Sequence, residues 1–130
     1  MDQLTDMIIR IKNGQKHKRS SIILYTPVSK LCIQFLKILQ NEGYIEGYNI
    51  KKIKPLSVEV YLKYTLSGLP TIKNITRISK PSHRIYVKSK SLWNLNSGIG
   101  IFILSTPQGL MTDLDAKIIN QGGEVLCSIL

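Results

Sequence analysis

Apolar residues repeat at helical spacing in two stretches of the first half of the chain. The spacing over residues 4–11 predicts a helix that ends at Gly14. A broad apolar stripe over residues 28–39 predicts a second helix that ends at Gly43. The second stripe is wide enough to form part of a protein core.

Polar residues that suit helix N-termini precede two of the predicted helices. Thr26 followed by Pro27 predicts the N-cap and the first residue of the second helix. Near the C-terminus, Thr112 with Asp115 three residues later predicts a capped short helix over residues 113–120.

Alternating or wholly apolar stretches predict the strands. In the first half they cover residues 21–25, 44–48 and 57–64, which gives the order α-β-α-β-β. In the second half the apolar run at 99–104 should be central in its sheet. The other predicted strands there are 72–78, 84–88 and 124–129, with turns at 80–83 and 121–123.

A break in the pattern at residues 67–70, rich in Gly, Ser and Pro, predicts a domain boundary. We therefore expect an α+β protein with two small domains. The first, residues 1–66, has the order α-β-α-β-β. The second, residues 67–130, has mostly antiparallel strands and one short helix.

Basic residues strongly outnumber acidic ones. The chain has 18 Lys and Arg against 8 Asp and Glu, a formal net charge of +10, and no acidic residue from 60 to 112. Further cations cluster at residues 10–19 and 51–54. This excess favours a polyanion or an anionic membrane as partner, and a basic surface without a special partner is the alternative.

A membrane function is not favoured by the pattern. The apolar run at 99–104 is too short to span a bilayer, and the helix predicted over 28–42 carries only two cations, Lys30 and Lys37. The N-terminal residues have the pattern of neither a secretory signal nor a transit peptide.

Residues suited to catalysis or metal binding are sparse. Cys32 and Cys127 lie far apart in apolar patterns, so we expect buried free thiols and no zinc site. His17 and His83 have no orienting carboxylate close in sequence, and Ser105 lacks a G-x-S-x-G motif. No phosphate-loop motif is present either. We expect no enzyme activity, cofactor or small-molecule substrate, with a Ser105 hydrolase as the alternative hypothesis.

The stretch "STPQG" at residues 105–109 places hydroxyls, an amide and a glycine where an apolar strand ends. Short donors and acceptors on a tight turn can reach 2′-hydroxyls and base edges in the shallow minor groove of RNA. Lys and Arg side chains neutralise the phosphates. The residues by themselves therefore indicate a basic α+β protein that binds RNA.

Several motifs resemble a known family along the whole chain. They are "DMIIRIKNGQ" at 6–15, "SKLCIQFLKILQNEGYI" at 29–45, "RISKPSHRIY" at 77–86, "GIGIFILSTPQGLMTDLDAK" at 98–117 and "NQGGEVLC" at 120–127. In order and spacing they resemble the eighth protein of the ribosomal small subunit, in its bacterial and organellar form.

The resemblance implies two small α+β domains without enzyme activity or cofactor. It implies direct binding to the central domain of small-subunit ribosomal RNA, early in assembly, among neighbouring small-subunit proteins. It also implies that such a protein can repress its own messenger. A general basic binding module, or a regulator outside the ribosome, is the alternative.

The resemblance also implies the RNA-binding residues. In the second domain these are Ser105, Thr106, Gln108, Gly109, Gly122, Gly123, Glu124, Arg84 and Tyr86, and in the first domain Arg10, Asn13, Ser29 and Lys30. Structural alternatives exist for some of them. Gly122 and Gly123 could be required by a positive φ at a turn, and Glu124 could be a solvated strand end.

The chain departs from the family pattern in the 105–109 turn. Pro107 and Gln108 stand where the family usually has serine and lysine, which removes a hydroxyl and a cation and can stiffen the turn. Lysine greatly outnumbers arginine, and Ile and Asn are abundant, as in A+T-rich organelle genomes. We therefore expect a mitochondrial ribosome, with a plastid or the bacterial cytoplasm as the alternative.

Overall fold

The chain forms two compact units, Met1–Ile72 and Lys73–Leu130. The computed structural model describes residues 3–25, 29–52, 57–94 and 100–130. These residues contain three α-helices and two antiparallel sheets, of three and five strands, which confirms the α+β class. The division into domains 1–66 and 67–130 stays a prediction.

The N-terminal unit has the predicted order α-β-α-β-β. Its elements are α1 Gln3–Lys16, β1 Ser21–Tyr25, α2 Lys30–Asn41, β2 Ile45–Lys51 and β3 Ser57–Leu62. The central strand is β3, which pairs with β1 on one side and β2 on the other. The strand β2 extends beyond the predicted end at residue 48, because its last residues continue to pair with β3.

The alternation along β3 sorts its side chains between two faces of the sheet. Val58, Val60 and Leu62 are at most 4% exposed, and both helices contact the sheet. The residues between them, Glu59 and Tyr61, are more exposed. The predicted pattern of a half-buried strand is therefore confirmed.

The prediction that Gly14 ends the first helix is wrong, because α1 continues to Lys16. A Cβ at Gly14 would lie 2.5 Å from Cγ2 of Ile22 in β1. Glycine at this position thus lets α1 approach β1 closely. The chain turns after the helix at Lys18, where φ is 55°.

The predicted N-cap of the second helix also needs correction. The helix α2 begins at Lys30, and the Ser29 hydroxyl accepts a hydrogen bond from the Cys32 N–H at 3.3 Å. Ser29 is therefore the N-cap. The predicted cap residues, Thr26 and Pro27, lie outside the described residues. At the other end Gly43 follows with φ of 80°, as predicted for the end of the helix.

The C-terminal unit consists mostly of strands. Its elements are β4 Ile75–Arg77, β5 Tyr86–Val87, a 3₁₀ helix Ser89–Asn94, β6 Ile101–Thr106, β7 Gly109–Thr112, α3 Asp113–Ile119 and β8 Gly123–Ile129. The sheet order is β4-β8-β6-β7, and β5 also pairs with β8. The sixth strand is therefore an inner strand, as predicted for the apolar run.

The strand β7 was not predicted from the sequence. Residues 109–112 begin with a glycine and end with the N-cap of α3. The sequence there indicates a turn followed by a helix, and so short a strand between them is not recognisable. The structure pairs them with the end of β6 in a hairpin. The predicted strands at 72–78 and 84–88 shorten to β4 and β5, with the predicted turn closed by a Lys80–His83 bridge.

The helix α3 covers one face of this sheet. Thr112 accepts a hydrogen bond from the Asp115 N–H at 3.3 Å, which confirms the predicted cap. Ala116 of α3 packs with Leu92, Leu104 and Val125 in a buried apolar cluster. That core fixes the strands whose ends carry the predicted RNA-binding residues.

Candidate nucleic-acid interface

Four strands of the C-terminal sheet bring predicted site residues into one row. Tyr86 of β5 lies opposite Glu124 of β8, Glu124 lies opposite Ser105 of β6, and Ser105 lies opposite Leu110 of β7. Directly paired residues in antiparallel strands share a face of the sheet. We call these four residues the C-terminal row. Its members come from separate segments of the chain, which only the sheet brings together.

Glu124 anchors a cation beside this row. Its carboxylate accepts a hydrogen bond from the Ser79 hydroxyl at 2.5 Å and one from Arg84 Nη1 at 3.1 Å. The Glu124 side chain is only 13% exposed, whereas that of Arg84 is 53% exposed. The alternative of a solvated strand end is therefore wrong for Glu124. It holds Arg84 at the surface, where the guanidinium can meet a phosphate or a base edge.

Ser79 supports this anchor and was missed by the sequence analysis. It is fully buried, and its hydroxyl also accepts the Ile85 N–H at 3.2 Å. The Ser79 hydroxyl therefore connects Ile85, which precedes β5, to Glu124. A serine between two predicted strands carries no pattern that would distinguish it, so no sequence signal could have found it.

Tyr86 supplies the aromatic member of the row. Its side chain is 68% exposed, next to Glu124 on the same face. Exposed aromatic rings beside cations provide stacking surfaces for unpaired RNA bases.

The turn between β6 and β7 is a tight hairpin built on Thr106. The Thr106 hydroxyl donates to the Gly109 carbonyl at 2.9 Å and accepts the Gln108 N–H at 3.2 Å. Thr106 is 8% exposed, so its hydroxyl stabilises the turn. Gly109 has φ of 113°, which favours glycine. Pro107 and Gln108 are exposed at the tip.

Gly122 and Gly123 allow neighbouring backbones to approach closely. A Cβ on Gly123 would lie 2.3 Å from the Ser105 carbonyl oxygen, and one on Gly122 would lie 2.3 Å from the Val87 carbonyl oxygen. Neither glycine has a positive φ, so the turn alternative is wrong at both positions. Glycine is needed here by the packing of β8 against β5 and β6.

A basic pocket lies beside Gly122. It has a volume of about 530 Å³ and is lined by Val87, Lys88, Ser89, Lys90, Asn120, Gln121 and Gly122. Lys88 and Lys90 fall within the acid-free window from residue 60 to 112. The fold places them next to a predicted site residue, where they add positive charge.

The predicted residues of the N-terminal unit occupy two places. Arg10 and Asn13 line a pocket of about 450 Å³ together with Gly14, His17, Arg19, Ser21, Ile22 and Ile23. Arg10 pairs with Asp6 on the same helix at 3.1 Å. The other two, Ser29 and Lys30, lie at the start of α2, where the Ser29 hydroxyl is used as the cap and Lys30 is exposed.

Tyr64 fixes the loop beside this pocket. Its hydroxyl donates to the Arg19 carbonyl at 2.5 Å. Burial raises the pKa of Tyr64 above its usual value, so the phenol stays protonated and remains a donor at neutral pH. The basic loop after α1 is thereby held in place.

The structure gives no support to a Ser105 nucleophile or to a metal centre. Among the described residues of the C-terminal unit, His83 forms no hydrogen bond with Ser105, and in the described part of the chain no three His, Cys, Asp or Glu side chains are placed to hold a metal ion. Both cysteines are buried free thiols, as predicted. Within the same residues, the helices are too short or too polar to cross a bilayer.

Comparison with known proteins gives a consistent result along the whole chain. The sequence profile of the Ribosomal protein S8 family matches residues 2–130. The small ribosomal subunit protein uS8 of Rhodospirillum centenum is 47% identical, over 98% of this chain and 96% of its own. The proteins of the same name from Bartonella henselae and Granulibacter bethesdensis are 45% and 43% identical over the same shares. The chain therefore belongs to the Ribosomal protein S8 family.

Proposed function

We propose that this protein is a structural constituent of the small ribosomal subunit and binds ribosomal RNA directly. Relatives that match it over nearly their whole length carry the name small ribosomal subunit protein uS8. The family is structural and not enzymatic, so the protein acts by binding, without a cofactor or a small-molecule substrate.

The C-terminal row is the observation that carries the RNA-binding site. It brings the Tyr86 ring and the Ser105 hydroxyl to one face of a sheet, and Glu124 of the row holds the guanidinium of Arg84. These three groups suit a base face, a 2′-hydroxyl and a phosphate respectively. The exposed Gln108 at the hairpin tip and the lysines beside Gly122 extend the same surface.

The RNA target that we propose is a folded junction in the central domain of small-subunit ribosomal RNA. Rigid strands and a tight hairpin present short donors at fixed positions, which favours reading a fixed RNA shape over a flexible single strand. Arg10, Asn13, Ser29 and Lys30 of the other unit provide additional contacts in this proposal. Neighbouring small-subunit proteins complete the surroundings.

Composition and relatives both bear on the compartment that we propose. The relatives named above are bacterial. The lysine-rich composition favours a mitochondrial ribosome, and the bacterial cytoplasm or a plastid is the alternative. The test is whether isolated mitochondria synthesise the chain themselves. Recovery of the newly made chain in the small-subunit peak would establish the mitochondrial location.

Filter binding tests the RNA site. We expect a central-domain fragment of small-subunit rRNA to bind far more tightly than a random duplex of equal length. Ser105→Ala should weaken binding to the fragment about fivefold, because one hydrogen bond of about 1 kcal/mol is lost. Ser128→Ala is the matched control, since Ser128 is a partly buried serine of the same sheet outside the row. Equal affinity for both RNAs would contradict the proposal.

A further inference from the structure

The backbone on both sides of Arg84 is fixed by hydrogen bonds. Before it, Lys80 and His83 exchange two backbone hydrogen bonds, at 2.9 and 3.0 Å, which close the turn. After it, the Ile85 N–H donates to the Ser79 hydroxyl at 3.2 Å, and the Ile85 carbonyl accepts a backbone N–H of β8 at 2.9 Å. The Arg84 side chain therefore extends from a backbone that has little freedom to move.

The guanidinium of Arg84 is bonded through one nitrogen. Nη1 lies 3.1 Å from Oε2 and 3.4 Å from Oε1 of Glu124. Among the described residues, no hydrogen bond involves Nε or Nη2 of Arg84. Two parallel N–H groups of a guanidinium match two oxygens of one phosphate, so the edge formed by Nε and Nη2 is suited to bidentate binding. The side chain is 53% exposed, so a phosphate can reach it.

Glu124 is in turn held from the interior of the unit. The hydroxyl of the fully buried Ser79 donates to Oε2 of Glu124 at 2.5 Å, and this oxygen also makes the shorter contact with Arg84. The Glu124 side chain is only 13% exposed. The position of Nη1 is therefore set by groups inside the protein, and with it the direction of the opposite edge of the guanidinium.

We propose that Arg84 binds one phosphate of rRNA through Nε and Nη2, and that Glu124, supported by Ser79, is the positioning residue for this contact. The inference rests on the proposed rRNA function and deepens it. A side chain that is already fixed loses little rotamer freedom on binding. A phosphate is favoured over a base edge because Lys80, exposed on the same turn, adds a second cation.

The charge of Glu124 makes its positioning role testable by the sign of one effect. A carboxylate repels a polyanion, so Glu124→Gln would raise the affinity for rRNA if Glu124 acted only through its charge. If Glu124 positions Arg84, the same change weakens the charge-assisted bond that holds the guanidinium. We expect filter binding to show about fivefold lower affinity for the central-domain rRNA fragment. An unchanged or higher affinity would overturn the proposal.

Asp115→Asn is the matched control in the same unit. Asp115 is exposed on α3, which packs against Leu104 and Val125. Successive residues of a strand alternate between faces, so α3 lies on the sheet face opposite to Ser105 and Glu124. We expect this variant to bind the fragment as tightly as the wild type, or slightly more tightly. A loss equal to that of Glu124→Gln would contradict a specific role of Glu124.

A double-mutant cycle separates positioning from a general effect on the sheet. Arg84→Ala should lower the affinity about tenfold, and Glu124→Gln should cause no further loss in the Arg84→Ala background. Losses that multiply in the double variant would overturn the proposal. Arg84→Lys keeps the charge but lacks the planar fork, so it should lose nearly as much affinity as Arg84→Ala. Wild-type affinity in Arg84→Lys would contradict bidentate binding. Circular dichroism verifies that each variant is folded.

Interference mapping identifies the group that Arg84 binds. In a fragment with randomly ethylated phosphates, we expect one phosphate whose ethylation weakens binding of the wild type but not of Arg84→Ala. If methylation of a guanine N7 showed this difference instead, Arg84 would bind a base and the proposal would be wrong. Wild-type affinity for a random duplex of equal length is the reference. Equal affinity for both RNAs would contradict the rRNA function itself, whereas a clear preference with a failed sign test contradicts only the role of Glu124.

Discussion

A glutamate lies on a sheet face in each unit, and the two carboxylates differ in what surrounds them. Glu124 is 13% exposed and bonded to a fully buried serine and to an arginine that is half exposed. Glu59 is 21% exposed, and its cation, Lys51, is farther away, at 3.7 Å. In both pairs the cation is the more exposed partner, since the Arg84 side chain is 53% exposed and that of Lys51 45% exposed, but only Glu124 is also bonded to a fully buried hydroxyl.

This difference shows how one residue type is held on a sheet in two ways. A carboxylate that is sunk beneath its own arginine acts as a positioning group, and the surface above it attracts phosphates. A carboxylate such as Glu59, which accepts hydrogen bonds from two hydroxyls and has its cation at 3.7 Å, depends less on the ion pair for its position.

The largest expected effect compares a glycine of each sheet. Gly123→Ala should lower the free energy of unfolding by about 3 kcal/mol, because the added Cβ meets the Ser105 carbonyl oxygen and overpacks the strands. Gly47→Ala is the matched change in β2, where the Cβ would lie 3.5 Å from the Gln40 side chain, an ordinary contact. Urea unfolding measures both. Similar losses would mean that close strand approach is not what Gly123 provides.

A smaller effect is expected when the buried carboxylate loses its charge. Glu124→Gln should lower the free energy of unfolding by about 1.5 kcal/mol, because the charge-assisted bond from buried Ser79 is weakened. The Arg84 contribution is small, since that side chain is half exposed and screened by solvent. Chemical denaturation of the wild type, this variant and Glu46→Gln gives the comparison, since Glu46 is an exposed glutamate of β2. An unchanged Glu124→Gln protein would contradict the anchoring role.

The helices and most strands were predictable because their apolar periodicity follows directly from which face is buried. The strand β1 and the capped helix α3 were predicted at or within one residue of their observed bounds. The position of Gly14 inside α1 was not predictable from the helical pattern. Glycine is needed there because α1 lies close to Ile22, which belongs to the strand β1. The same holds for Gly122 and Gly123, where glycine is needed because the backbones of β5 and β6 lie close to them.

The candidate site was predictable in part. Motifs indicated Ser105, Arg84, Tyr86 and Glu124, but only strand register shows that Tyr86, Glu124 and Ser105 form one row. Ser79 was invisible to sequence reasoning because its role depends on a hydrogen bond to a residue far along the chain. The surroundings of Glu59 were hidden for a related reason: alternation predicts an outward residue without saying which neighbours hold it.

The smallest expected effect concerns the titration of Glu59. Its pKa lies below the usual value of 4.5, chiefly because Tyr61 donates a hydrogen bond to the carboxylate. A lowered folded-state pKa stabilises the protein above the unfolded-state pKa, and this stabilisation disappears as the pH falls through the folded-state value. The stability advantage of the wild type over Glu59→Gln should therefore be present at neutral pH and vanish in acid, below pH 4.5.

Carboxyl NMR titration of the wild type and of Tyr61→Phe measures the cause directly. Removing the Tyr61 hydroxyl should raise the pKa of Glu59 toward its usual value, because the largest stabilising contact with the ionised form is lost. Tyr48→Phe is the control, since Tyr48 lies on β2 in register with Val60, on the opposite face of the sheet. If the pKa of Glu59 stayed the same in Tyr61→Phe, the hydroxyl would not be what keeps this carboxylate charged. The contrast with Glu124 would then depend on burial alone.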